Sequence, residues 1–189
     1  EKSISKWKKS YKRLLQEIAF YNGSNKRLLL KNPHNTARIK VLKDMFPNAK
    51  FIFIHRNPYE VYKSTEHLYK KTIRSQFLQK FNDEEISECV ISCYELVMKQ
   101  YLELKNSIPK DQLTEISFNE LSNKPLITLE RIYHELNIDG FEKIKPSFKT
   151  YIQDQKDYRK NKFVELPEGL KSKLKHRWGF AFEAWDYPN

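Results

Sequence analysis

Lys50-Phe51-Ile52-Phe53-Ile54-His55-Arg56-Asn57-Pro58 is the stretch that decides the fold. Its first half is a continuous, apolar, β-prone run, the composition of a sheet strand. Its second half starts a helix. Asn57 is a natural N-cap, and Pro58 suits the first helical position, where its missing N–H costs nothing. A strand that passes directly into a helix is the building unit of open parallel sheets, whose ligands gather at the carboxyl ends of the strands. Arg56 stands at that point, just before a helix N-terminus whose free N–H groups also favour anions. Ser64 lies about two turns further on, so its hydroxyl can reach an oxygen that Arg56 also holds. A guanidinium fork with a hydroxyl makes a phosphate clamp. On spacing alone, the other reading is a surface arginine followed by an ordinary helix serine.

The flanking sequence supports alternation. Upstream, Trp7, Tyr11, Leu14, Leu15 and Ile18 recur at helical spacing, and Asn22-Gly23 ends that helix. Leu28 to Leu30 reads as a short strand buried on both faces and closed by Asn32-Pro33, so that Lys31 would emerge at the same sheet edge as Arg56. A helix is expected from about Asn35 to Phe46, with a turn at Pro47-Asn48. Downstream, Ile86, Val90, Cys93, Val97, Tyr101 and Leu104 mark a long helix. Leu113 to Phe118 reads as a third strand, and Leu126, Leu129, Ile132, Tyr133 and Leu136 as another helical stripe ending at Asn137 to Gly140. Ile152 to Phe163 reads as a polar, basic loop. A last helix follows Pro167 and runs through Trp178, Phe182 and Trp185, an aromatic stripe that suits packing better than ligand binding. The pattern predicts an α/β chain, with a parallel sheet flanked by helices on both faces and one domain over residues 1–189.

Composition sets limits. The 189 residues carry 35 Lys and Arg against 24 Asp and Glu, a net charge of +11, which suits an anionic ligand, nucleic acid or an anionic membrane surface. Twelve Phe, 11 Tyr and 3 Trp argue for a folded core. No run approaches the length of a membrane span, and no signal peptide is evident. Cys89 and Cys93, four apart on a helix, read as core thiols rather than a disulfide or a metal site. His55, His67, His134 and His176 have no ligand spacing with cysteine or acidic partners, so no metal is expected.

Phe51 through Ser64 resembles the 3′-phosphate-binding motif of sulfotransferases that use 3′-phosphoadenosine-5′-phosphosulfate (PAPS). In that family a strand runs into Arg-Asn-Pro and a serine follows the arginine by eight, as Ser64 follows Arg56. Leu28 through Lys50, Ile116 through Leu121 and Arg177 through Trp185 are also similar to the family, especially its bacterial-type branch. The resemblance spans nearly everything from about Lys26. It implies a P-loop-NTPase-like sheet, present in part, PAPS as co-substrate, no metal, and Arg56 and Ser64 as cofactor-binding residues.

Sulfuryl transfer resembles phosphoryl transfer: in-line attack, positioning and charge stabilisation. It needs a base at the acceptor proton and a cation near the leaving oxygen. His34 is the candidate base and Lys31 the candidate cation. Cytosolic family members place the lysine two residues before the histidine, whereas here the separation is three. A turn or helix-capping histidine is the competing reading of His34. Arg159 and Lys160, in Lys156 through Asn161, match in part the family's late basic loop over the 3′-phosphate; a solvated charge run is the alternative.

The family's other half-site, an N-terminal strand, a glycine-containing loop and a helix that cradle the phosphosulfate, has no counterpart here. Gly23, Gly140, Gly169 and Gly179 form no phosphate loop. The expectation is a C-terminal portion of a longer enzyme, with apolar sheet edges left exposed. The alternatives are a natural short relative that binds a nucleotide without catalysis, a kinase-like relative, or a basic nucleic-acid-binding module; no nucleic-acid motif favours the last. The acceptor is open among small molecules, carbohydrate, peptide and lipid. A cytoplasmic bacterial enzyme fits the low cysteine count, and a Golgi-lumen domain is compatible with it as well.

Overall fold

The computed structural model of the chain describes residues 2–23, 26–76, 78–155, 161 and 163–188. They form two compact units, Glu1–Pro47 and Asn48–Asn189.

In the first unit, helix α1 (Lys2–Asn22) carries a stacked Trp7–Tyr11 pair with ring centroids 4.8 Å apart. It stops at Gly23, whose φ of +92° is the left-handed turn that glycine adopts without strain. The strand expected at Leu28 to Leu30 does not form. The segment enters no ladder, and Leu29 is 87% exposed. Three apolar residues between Arg27 and Lys31 have no partner strand for their N–H and C=O groups, so nothing holds them extended and buried. Lys31 is therefore not a strand-end cation. The expected helix from Asn35 begins instead as a 3₁₀ turn, Pro33–Arg38, and becomes α2 (Ile39–Met45), which buries Ile39 and Leu42.

The second unit holds the sheet. Strand β1 (Phe51–His55) pairs in parallel with β2 (Leu113–Ser117), Phe51 opposite Leu113 and His55 opposite Ser117. Between them run α3 (Pro58–Leu68), a π turn over Tyr69–Ile73 and α4 (Asp83–Lys105). After β2 come α5 (Phe118–Asn123), α6 (Pro125–Glu135), α7 (Phe141–Asp154) and α8 (Glu168–Ala184). Helix α7 overlaps the start of the expected loop at Ile152; Pro146 inside it disguises the helical pattern.

Alternation along β2 sends side chains to both faces. Ile116 packs with Ile132 and Leu136 of the α6 region. Glu115 points the other way, to Tyr101 and Lys105 of α4 and to Trp185. Helices therefore cover both sides of this pair of strands, as the alternation predicts. On β1, however, Ile52 and Ile54 are exposed. The main core lies among α3, α4 and α8, where Tyr62, Val90, Ile91, Leu174, Trp178 and Phe182 are buried together. Trp178 spends its only donor, Nε1–H, on the Ile91 carbonyl at 3.1 Å. The aromatic stripe of the last helix is thus packing.

Cys89 and Cys93 depart from expectation. Both are free and exposed, with sulfurs 3.9 Å apart. The buried stripe of α4 follows Ile86, Val90, Ile91, Met98 and Tyr101, which turns positions 89 and 93 outward.

Candidate functional site

The parallel register sets the two strand ends level, so Arg56 and Phe118 follow their strands side by side. A helix starts at each. Asn57 caps α3, its Oδ1 accepting the Tyr59 N–H at 2.9 Å, with Pro58 in the first turn. Ser117 and Glu120 form a reciprocal capping box on α5, both bonds 3.0 Å. Each cap is worth about 1 kcal/mol and fixes where its strand stops.

The Arg56 guanidinium lies over the Phe118 ring, 4.8 Å from its centroid. Its edge donates from Nη2 to Glu60 Oε2 at 3.2 Å. Lys63, whose side chain is only 10% exposed, pairs with the other carboxylate oxygen of Glu60. Glu60 and Ser64 are four apart on α3 and so share a face, and Arg56, just before the helix, reaches back to Glu60. Ser64 is half-buried on that face. The result is two cations sharing one carboxylate at the carboxyl end of a strand, beside a capped helix start, an arrangement that can receive an anion.

The strand end is held from beneath. His55 Nδ1 is 2.8 Å from the Tyr187 hydroxyl, and its ring stacks on Trp185 at 5.3 Å. Burial lowers the His55 pKa below 6.5, although Glu115 and Glu120 act to raise it. Trp185 donates Nε1–H to Glu115 at 3.0 Å, and Glu115 also accepts from Tyr101 at 3.0 Å and from Lys105 at 2.9 Å. Burial, the largest single influence on Glu115, pushes its carboxyl up; the bonds from Lys105, Trp185 and Tyr101 outweigh it and hold the carboxyl below its usual range.

Of the residues singled out from sequence, Arg56 stands just before the cap of α3 and Ser64 lies within that helix. Lys31 and His34 lie together in the first unit, both exposed. The His34 N–H and Nδ1 both meet Asn32 Oδ1, at 3.0 and 3.1 Å, at the start of the 3₁₀ segment. Arg159 and Lys160 fall outside the described residues. Glu60, Lys63, Phe118 and Tyr187 were not singled out. Glu60 stands four after Arg56, a spacing readable in the sequence; Phe118 needed the strand register, and Tyr187 needed the fold of the tail. Among the described residues no group of three or more His, Cys, Asp or Glu could hold a metal ion, and no helix is long and apolar enough to cross a membrane.

A parallel pair of strands flanked by helices, with a basic strand end leading into a capped helix, defines the class: an α/β domain with a parallel sheet. The profile described as the sulfotransferase family matches residues 3–143, and the chain belongs to that family. It is 32% identical over 181 residues to the proteins named omega-hydroxy-beta-dihydromenaquinone-9 sulfotransferase Stf3 of Mycobacterium bovis and of Mycobacterium tuberculosis; the match takes in 96% of this chain and 46% of each relative. The chain thus spans about half the length of these relatives. Among solved structures, the sulfotransferase STF9 of Mycobacterium avium superposes with a TM-score of 0.69 over 84% of this chain and 42% of that one, at 17% identity, a likeness of fold.

Proposed function

We propose that residues 1–189 are one sulfotransferase domain without its N-terminal strand, loop and helix, and that they supply the 3′-phosphate-binding part of an enzyme that moves the sulfonate of PAPS to an acceptor. The observation that carries this reading is the Arg56 setting: a guanidinium between a strand end and a capped helix start, stacked on Phe118, with Ser64 within the helix that follows. Family membership supplies the reaction class. Arg56 and Ser64 hold the 3′-phosphate common to PAPS and the product bisphosphate, and Arg159 and Lys160 are further cofactor-binding residues in this reading.

In the proposed reaction an acceptor oxygen or nitrogen attacks sulfur in line, the bond from sulfur to the phosphate oxygen breaks, and the bisphosphate departs. His34 accepts the acceptor proton, and Lys31 offsets charge on the leaving oxygen. The exposed Nε2 edge of His34 suits that role, since Nδ1 is turned to Asn32. No metal takes part. The hydroxylated menaquinone in the relatives' name favours a hydroxyl on a lipid-like small molecule over carbohydrate or peptide acceptors. Two free cysteines fit a reducing compartment, and we place the protein in the cytoplasm.

The test is thermal stabilisation by 3′,5′-adenosine bisphosphate, set against ATP and duplex DNA. A bound ligand at a hundredfold excess over its Kd adds about 2.7 kcal/mol to stability. The bisphosphate should raise the melting temperature most, and Arg56→Ala should abolish that rise while the unliganded melt stays cooperative. A shift with DNA and none with the bisphosphate refutes the proposal.

A further inference from the structure

Glu60 has no role in the clamp described above, yet it lies between the clamp's two residues in the chain and is bonded to Arg56. It accepts from Arg56 on one oxygen and from Lys63 on the other, and it stands one helical turn from Ser64. A phosphate that takes the Nη2 edge of Arg56 must enter the place this carboxylate fills. The donor and the product of the proposed reaction carry the same 3′-phosphate, so a competitor for Arg56 weakens the hold on both alike and thereby speeds departure of the product.

We propose that Glu60 is a displaceable counter-anion for Arg56, an internal competitor that weakens the hold on the 3′-phosphate and speeds departure of the bisphosphate. The inference rests on the clamp reading of Arg56 and Ser64. Three features of the geometry support it. The Glu60 side chain is 36% exposed, so solvent is at hand to receive the displaced carboxylate. Lys63 keeps a grip on Glu60 after Arg56 lets go, so the exchange leaves no carboxylate unpaired. Phe118 fixes the guanidinium from its face, so Arg56 does not depend on Glu60 for its orientation. A phosphate monoester carries between one and two negative charges at neutral pH, against one on the carboxylate, and so wins the exchange when present.

Binding is measured on the full chain by calorimetry and by stopped-flow release, with 3′,5′-adenosine bisphosphate and with 5′-AMP, which lacks the 3′-phosphate. Glu60→Gln should tighten bisphosphate binding about fivefold, the scale of one partly exposed ion pair. Most of the gain should appear as slower release. Binding of 5′-AMP should change by less than about twofold, the same scale argument applied to a ligand that makes no contact with Arg56. Glu60→Ala serves as a second variant, because a glutamine oxygen can still accept from Arg56. Unchanged or weaker bisphosphate binding in both Glu60 variants, where Arg56→Ala still abolishes it, overturns this inference and leaves the clamp standing. Wild-type affinity in Arg56→Ala defeats the clamp reading, and this inference with it.

Discussion

Trp185→Phe should loosen the strand end that carries Arg56, and the size of the effect follows from what the indole touches. Its ring stacks on Phe53 at 5.4 Å and on His55 at 5.3 Å, contacts a phenyl ring largely keeps. What phenylalanine cannot supply is the Nε1–H that reaches Glu115 at 3.0 Å. A hydrogen bond to a charged, half-buried carboxylate is worth about 1.5–3 kcal/mol, so a loss of about 2 kcal/mol is expected near neutral pH. For a chain of this length that lowers the melting temperature by about 4–8 °C. The loss should depend on pH. Glu115 is held below its ordinary 4.5 in the fold, so its contribution is fully present above that value and is lost as pH falls through the folded pKa. The gap between wild type and variant should therefore close in acid. Urea unfolding followed by circular dichroism, near pH 7 and near pH 3.5, measures both gaps. In a Glu115→Gln background the cost of Trp185→Phe should drop to about 1 kcal/mol, that of a neutral hydrogen bond. A gap of the same size at both pH values, or one undiminished in that background, would refute the assignment.

Two further outcomes follow from the same kind of reasoning. Asn57→Ala removes the cap on α3 and should cost about 1 kcal/mol in urea unfolding, whereas Asn57→Ser should restore most of it. Glu88 is held down to about 2 by hydrogen bonds from Lys173 and Arg177, so its contribution is complete above its ordinary 4.5 and lost as pH falls toward about 2. Its side chain is nearly half exposed and solvent screens the pair, so Glu88→Gln should cost only about 1 kcal/mol near neutral pH, with the difference disappearing in acid titrations of stability.

What could be read in advance was what local chemistry decides. The apolar run 51–54, the Asn57 cap and the long stripe of α4 announce themselves, because a strand core, a helix start and an amphipathic face each depend on neighbours within a few residues. Leu28 to Leu30, a shorter apolar run than β1, also read as a strand, but a strand exists only with a partner, and composition does not reveal partners. Helix α7 was hidden by Pro146, a residue that ordinarily breaks helices. Cys89 and Cys93 show a subtler limit. Spacing places them on one face of α4, but only the positions of α3 and α8 decide which face is inside. At the site, Arg56 and Ser64 lie on one local segment and were readable, whereas Phe118 reaches Arg56 only because β1 and β2 pair in one parallel register.

The basic balance of the chain does not by itself mark an anion site, because several of its cations are committed to the fold. Lys50 is bound to Asp111, Lys105 to Glu115, Arg131 to Glu120, and Arg177 to both Glu88 and Glu95. Drawing an incoming phosphate to Lys105 would strip a cation from a half-buried carboxylate, and Arg177 could turn to a ligand only by releasing two carboxylates. Arg56 stands in a different position. Its carboxylate is shared with Lys63, so Arg56 can change partners while Glu60 keeps one, and Phe118 holds the guanidinium in place through the exchange. The quantity that separates a binding arginine from a structural one here is the cost of releasing its present partner. By that measure Arg56 is the cheaper to recruit of the paired cations named here, and it stands where a strand ends and a helix begins.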